Sequence, residues 1–246
     1  MRLNGRRGLM GATPQRWQLI HYNDGADGLV GGVWMDRIRG IDNVTPLDWT
    51  TTKVTAENGV MSFSKKLISS ASADPGKQLW GRYFIVDMDI AACEYPYDDN
   101  PGLSRYGDEN GRIFVDFGST QGSGHDTWSI RLGMAFHNKT LSHNNKLLGD
   151  NTNNDLAIPY KPSLFTFPCT LRLCVMPTPE GDVIFWAHHG KYYAASKPFE
   201  GKIYGLERAT IGTWKMNVSP LYGYSQYMDY SVRSLRIYRD VNFISK

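Results

Sequence analysis

The sequence predicts an all-β fold, a two-sheet antiparallel jelly-roll sandwich with an extended N-terminal arm. Three observations carry that prediction. From Ser234 to Tyr238 the chain alternates Ser, Leu, Arg, Ile, Tyr inside the segment Tyr230–Asp240, the period of a half-buried strand. Leu171–Met176 alternates in the same way and is followed, after the turn-forming stretch Pro177–Gly181, by the apolar run Val183–Ala187, which reads as a hairpin. No window of 12 or more residues keeps the 3.6-residue apolar period of a helix.

The elements follow in order. Residues 1–16 are rich in Gly and Arg and read as the arm; residues 17–246 read as one jelly-roll domain, since no internal linker interrupts them. Residues 17–22 form a short strand. Asn23–Gly28 holds two Asp-Gly signals and turns. Val33–Asp36 is a strand or short turn before a loop. Val60–Ser64 alternates after Asn58-Gly59, a hairpin signal. Tyr83–Ile90 is a strong strand, and residues 94–111 a long exposed loop. Arg112–Gly118 and Thr127–Leu132 are strands. Leu141–Asp155 is Asn-rich and reads as a loop.

Composition narrows the function. The hydrophobic content of 41% suits a packed core. Aromatics reach 13%, with 14 Tyr and 7 Trp, which suits pleated sheets and also carbohydrate or protein contact surfaces. The formal charge of +3 is too even to argue for nucleic acid, and the basic cluster Arg2, Arg6, Arg7 sits at the terminus. No apolar run approaches the roughly 20 residues of a membrane-spanning helix. The opening lacks the apolar stretch of a secretory signal. The three cysteines, Cys93, Cys169 and Cys174, do not make a disulfide framework. Cys169 and Cys174 are an odd spacing apart, so on one strand they face opposite sides. All three are expected to be reduced packing residues.

Catalytic patterns are incomplete. Asp87 and Asp89 alternate toward one face, but Ala92 stands where a retaining glucanase strand needs its second acid. Glu94 falls on the opposite face if the strand continues, so the two aspartates read as solvated acids on the outside of a sheet. His188-His189 cannot both reach one ion from a strand, and no third ligand supports them. Gly122–Asp126 is a small-residue turn rather than a nucleophile elbow. No catalytic residue and no metal ligand is therefore assigned. A sugar site needs ring faces with a few aimed polar groups. The candidates are Trp128 beside His125, Trp186, Trp214, and the tyrosines Tyr222, Tyr224 and Tyr227, read as a loop cluster open to ligand or to a second subunit.

The order of phrases Gly32–Gly40, Gly59–Phe63, Gly111–Gly118, Leu171–Ala187 and Ser234–Tyr238 resembles laminin-G-like modules of the concanavalin-A-like lectin and glucanase superfamily, as found in phage and gut-bacterial proteins. The likeness spans about residues 29–240 and departs at Tyr227–Tyr230, where a glycine and lysine are usual. It implies two stacked antiparallel sheets, with ligands held on the concave face or among edge loops. Calcium is the common ion of that superfamily, and Asp98, Asp99, Asn100 and Asp150–Asp155 offer oxygen donors for it, but plain solvated loops of this composition are commoner, so no cofactor is assigned. The opening Gly5–Met10 is similar to phage-encoded copies. The resulting expectation is a non-enzymatic virion structural protein, of head or tail fibre, that touches host glycans or other virion proteins as a homo-oligomer or part of an assembly. A secreted or surface-displayed bacterial glycan-binding module comes second, and a glycoside hydrolase third.

Overall fold

A computed structural model describes residues 17–64, 67, 69–75, 79, 83–93, 112–118, 129–134, 140–143, 156–159, 167–178, 181–188, 191–195, 208–212, 214–216, 224–226 and 229–241. The N-terminal arm, the loop over 94–111 and the Asn-rich stretch 144–155 lie outside these residues.

The described strands are β1 (Trp17–Asp24), β2 (Val33–Trp34), β3 (Trp49–Thr52), β4 (Thr55–Glu57), β5 (Val60–Phe63), β6 (Ser70–Ala73) and β7 (Phe84–Cys93). They continue with β8 (Arg112–Gly118), β9 (Ser129–Met134), β10 (Thr140–His143), β11 (Leu156–Pro159), β12 (Cys169–Thr178), β13 (Gly181–His188) and β14 (Lys191–Ala195). The last four are β15 (Arg208–Gly212), β16 (Trp214–Met216), β17 (Tyr224–Gln226) and β18 (Tyr230–Asp240). The only described helix is one 3₁₀ turn, Gly25–Asp27, capped by the Asp24 carboxylate, which accepts from the Ala26 N–H. No described helix is long and apolar enough to cross a membrane.

Every described pairing between named strands is antiparallel. An eight-stranded major sheet runs β14-β13-β12-β7-β18-β5-β4, with β1 also on β18; a six-stranded minor sheet runs β2-β3-β6-β15-β8-β9. Two small sheets, β10-β11 and β16-β17, accompany them. The inner faces of the major and minor sheets share one core: Val86, Met88, Leu173 and Ile237 from the first meet Trp34, Trp49, Val115 and Ile211 from the second. Sealing a tryptophan such as Trp34 or Trp49, both 0% exposed, contributes about 3 kcal/mol, and this burial is what makes the layered arrangement stable.

The closing segment forms the strand read from its alternation. Leu235 and Ile237 point into the core while Arg236 and Tyr238 take the other side. The hairpin β12-β13 pairs from Leu171↔His188 to Thr178↔Gly181. The β4-β5 hairpin turns on Asn58 and Gly59 at φ 52° and 76°, the left-handed pair that a two-residue turn of this hand requires. Cys169 and Cys174 share β12 and enter different apolar clusters, as their odd spacing dictates, and no described cysteine is in a disulfide.

Two readings change. Thr140–His143 is strand rather than loop, pairing with Leu156–Pro159. Tyr224 lies on β17, not in a loop. In both places a few residues gain ladder hydrogen bonds that their Asn- and Gly-rich surroundings conceal in sequence.

Candidate ligand-binding face

The outer face of the major sheet gathers the described polar side chains best placed for chemistry. β12, β7, β18 and β1 are neighbours there, and their register sets Arg172 opposite Asp87, Asp87 opposite Arg236, and Arg236 opposite Tyr22. This is one row across four strands. Alternation places it outside, because Leu171, Leu173, Val86, Met88, Leu235 and Ile237 fill the inner face.

Arg172 donates to both oxygens of Asp87, from Nε to Oδ1 at 2.5 Å and from its terminal nitrogen to Oδ2 at 2.6 Å. Asp87 is 5% exposed, so the expectation of two solvated acids fails at this position. A carboxylate that is buried by its neighbours and clasped by a guanidinium is already engaged. Asp89 keeps 27% side-chain exposure and approaches Arg233 at 3.9 Å. Ala92 is exposed, and Glu94 lies outside the described residues.

At the β1 end of the row the ring of Tyr22 takes Arg236 over it at 4.7 Å and Arg37 at 5.0 Å. Its hydroxyl donates to Asp24 at 2.5 Å. Arg37 in turn reaches Asp24 at 2.8 Å and makes a two-pronged contact with Asp27 at 2.5 and 2.6 Å. A small apolar cluster continues the face: Trp17, Ile85 and Cys174, with Tyr83, Met176 and Tyr238 packed on it. Burial pushes the Cys174 thiol well above its ordinary range.

The strap over residues 28–48 positions Arg37, and it is held from beneath. Asp36, 2% exposed, accepts from the backbone N–H groups of Tyr22 (2.9 Å), Ile38 (2.9 Å) and Leu47 (2.8 Å). His21 Nδ1 lies 2.7 Å from its other side. Burial would raise the Asp36 pKa, but the His21 contact and the backbone donors outweigh it and hold the carboxyl below its usual range. Asn23, fully buried, donates to the carbonyls of Trp34 (3.2 Å) and Leu47 (3.0 Å) and accepts from Trp49 Nε1 (3.2 Å). Asp48 receives the Asp36 N–H at 2.8 Å and pairs with Arg39.

The residues proposed from sequence are placed as follows. Trp186 lies on β13 opposite the core residue Leu173. Trp214 and Tyr224 fall in the same two-stranded sheet, where Trp214 pairs with Gln226 and Met216 with Tyr224. His125, Trp128, Tyr222 and Tyr227 lie outside the described residues, as do Asp98, Asp99, Asn100 and Asp150–Asp155. Among the described residues, no group of three or more His, Cys, Asp or Glu is gathered as a metal site would need.

No family model matches this sequence, and no curated protein matches it. Solved structures do. The binding domain of botulinum neurotoxin serotype G superposes with a TM-score of 0.54 at 10% identity, over 92% of this chain and 49% of that one. Domain 4 of AbnA, an extracellular arabinanase from Geobacillus stearothermophilus solved with arabinotriose, gives 0.53 at 10% identity, over 92% and 94%. The binding domain of botulinum neurotoxin DC, solved in complex with SialylT, gives 0.52 at 11% identity, over 89% and 47%. The chain thus spans about half the length of the two neurotoxin domains. These likenesses establish the fold: a two-sheet antiparallel β-sandwich.

Sequence pattern alone does not reveal the Tyr22–Arg236–Asp87–Arg172 row. Its members are far apart in the chain, and only the strand order brings them together. The readable signal was strict: Arg172, Asp87 and Arg236 each interrupt an apolar run at the outward parity of a strand.

Proposed function

We propose that this chain is a non-enzymatic, glycan-contacting module that serves as a virion structural protein of a phage, in a head or tail fibre, and contacts host-surface sugars or neighbouring subunits. The observation that carries the binding part is its superposition, over 92% of its length, on nearly the whole of an arabinanase domain solved with arabinotriose. The absence of turnover is supported by the engagement of Asp87 with Arg172 and by Ala92 at the place of a second acid. The virion setting draws on the resemblance of Gly5–Met10 to phage-encoded modules, and the Arg-rich arm suits ordering against a neighbouring subunit. A secreted or displayed bacterial module is the second reading, favoured by the extracellular enzyme to which that arabinanase domain belongs.

A glycan array probed with the purified chain tests the proposal. Binding to one sugar class, with no reducing ends released from mixed polysaccharides, is the expected result. Sedimentation separates the two settings: a stable homo-oligomer is expected of a fibre component, a monomer of a bacterial module. An empty array with a stable oligomer would leave a purely structural role. Turnover abolished by Asp89→Asn would make the chain an enzyme.

A further inference from the structure

Of the guanidinium groups along the outer row, Arg236 alone makes no ion pair with a carboxylate among the described residues. Arg172 is clasped by Asp87, and Arg37 by Asp24 and Asp27. Arg236 is half-buried on β18, and its described contacts are the Tyr22 ring at 4.7 Å and the Tyr22 hydroxyl at 3.4 Å. The acids nearest in register are already matched: Asp87, directly across on β7, gives both oxygens to Arg172, and Asp24 takes the Tyr22 hydroxyl and Arg37. A partly desolvated cation with free N–H donors is a standing demand for an anion. Two residues on, Tyr238 shares the face about 7 Å along the strand, half-buried, its hydroxyl hydrogen-bonded to no described residue. A fork donor held over the Tyr22 ring and, on the same sheet face, the hydroxyl and ring of Tyr238 are the parts that hold a sugar acid: the carboxylate on the guanidinium, the sugar ring against Tyr238.

Building on the glycan-binding reading, we propose that Arg236, with Tyr22 and Tyr238, forms a subsite for a carboxylate-bearing sugar on the outer face of the major sheet. The ligand class is an acidic saccharide, a hexuronic or a sialic acid. Phosphate-rich polymers are a poorer match, because Arg37, Arg172 and Arg236 are balanced in number by Asp24, Asp27 and Asp87, so the row offers one locally unpaired guanidinium and no net positive charge for them to meet.

The test is calorimetric titration of the full chain with trigalacturonate against galactotriose and with sialyllactose against lactose, at low and at physiological salt. One acidic sugar should bind at least about tenfold more tightly than its neutral partner, and the advantage should shrink with salt. Arg236→Gln should erase the preference by lowering the acidic sugar's affinity at least about tenfold, Arg236→Lys should keep part of it, and Tyr238→Phe should weaken it. Melting curves establish that each variant is folded; should Arg236→Gln not fold, Arg236→Lys and Tyr238→Phe decide. Equal affinity for acidic and neutral sugars overturns the subsite and leaves the glycan reading standing. An acid preference that survives folded variants also overturns it. If no saccharide binds at all, on the array or in the cell, both readings fall.

Discussion

Arg172 and Asp87, 85 positions apart in the chain, face each other across β12 and β7 and share two hydrogen bonds of 2.5 and 2.6 Å. The pair joins the hairpin β12-β13 to the centre of the major sheet on its outer side, while Leu173 and Val86 join it on the inner side. It gives the first prediction. Asp87→Asn leaves the Arg172 guanidinium, whose side chain is 22% exposed, without its counter-charge. Stability should fall by about 2 kcal/mol in urea denaturation, less than for a sealed pair because water still reaches the arginine. Asp87→Leu combined with Arg172→Met should recover most of the loss. A double variant as unstable as the sum of the two single variants would show that the two groups are not coupled, and would overturn the pairing as the source of the loss.

Asn23 is the second test. Its amide links β1 to the carbonyls of Trp34 and Leu47 and to the Trp49 indole. Asn23→Ala strands those buried groups and should cost about 3 kcal/mol, read as a lower melting temperature by tryptophan fluorescence. Asn23→Asp keeps the acceptor for Trp49 but faces two carbonyls with a charge, and should be worse.

Acid should loosen the strap through Asp36. Its carboxyl titrates below the ordinary 3.8 in the folded chain, so its stabilisation is present above that value and is lost as pH falls through the lower folded value. Stability followed by melting temperature should decline as pH drops below about 4.5. Asp36→Asn should be less stable at pH 7 and show a shallower acid decline. An unchanged acid limb would assign the decline to other carboxylates.

Native cysteines should resist thiol reagents. Burial, with Asp89 and Cys93 nearby, pushes Cys169 up to about 12, and burial raises Cys174 further. Cys93 is half-buried at the end of β7. Ellman's reagent should therefore label no more than Cys93 in the folded chain and all three thiols in guanidinium. Fast native labelling of Cys174 would contradict the sealing of the outer apolar cluster.

Legibility in the sequence followed side-chain size. β18, β7 and β12 alternate large apolar residues with polar ones over most of their length, β13 is a run of large apolar residues, and the pattern of each gives its bounds within a few residues. β6 and β15 are not legible in the pattern. Their sequences, Ser-Ala-Ser-Ala and Arg-Ala-Thr-Ile-Gly, carry little strand propensity and are held as strands by pairing to each other. Gly212 is needed there at φ 96°, with Ser69 O only 2.5 Å from where a Cβ would stand. The strap was invisible for another reason. Asp36 and Asn23 look like ordinary turn residues until the fold supplies the amides and carbonyls they satisfy. The candidate face suffered the same limit, since Tyr22 and Arg236 are 214 positions apart.

β18 is the latest strand described along the chain, yet it lies inside the major sheet, with β7 on one flank and β5 and β1 sharing the other. A ribosome must therefore travel past Asp240 before the two halves of that layer can zip. Until then β7 and β1 present bare edges to the crowded cell. Premature termination anywhere upstream would yield no smaller working version, only a sticky fragment for the proteases.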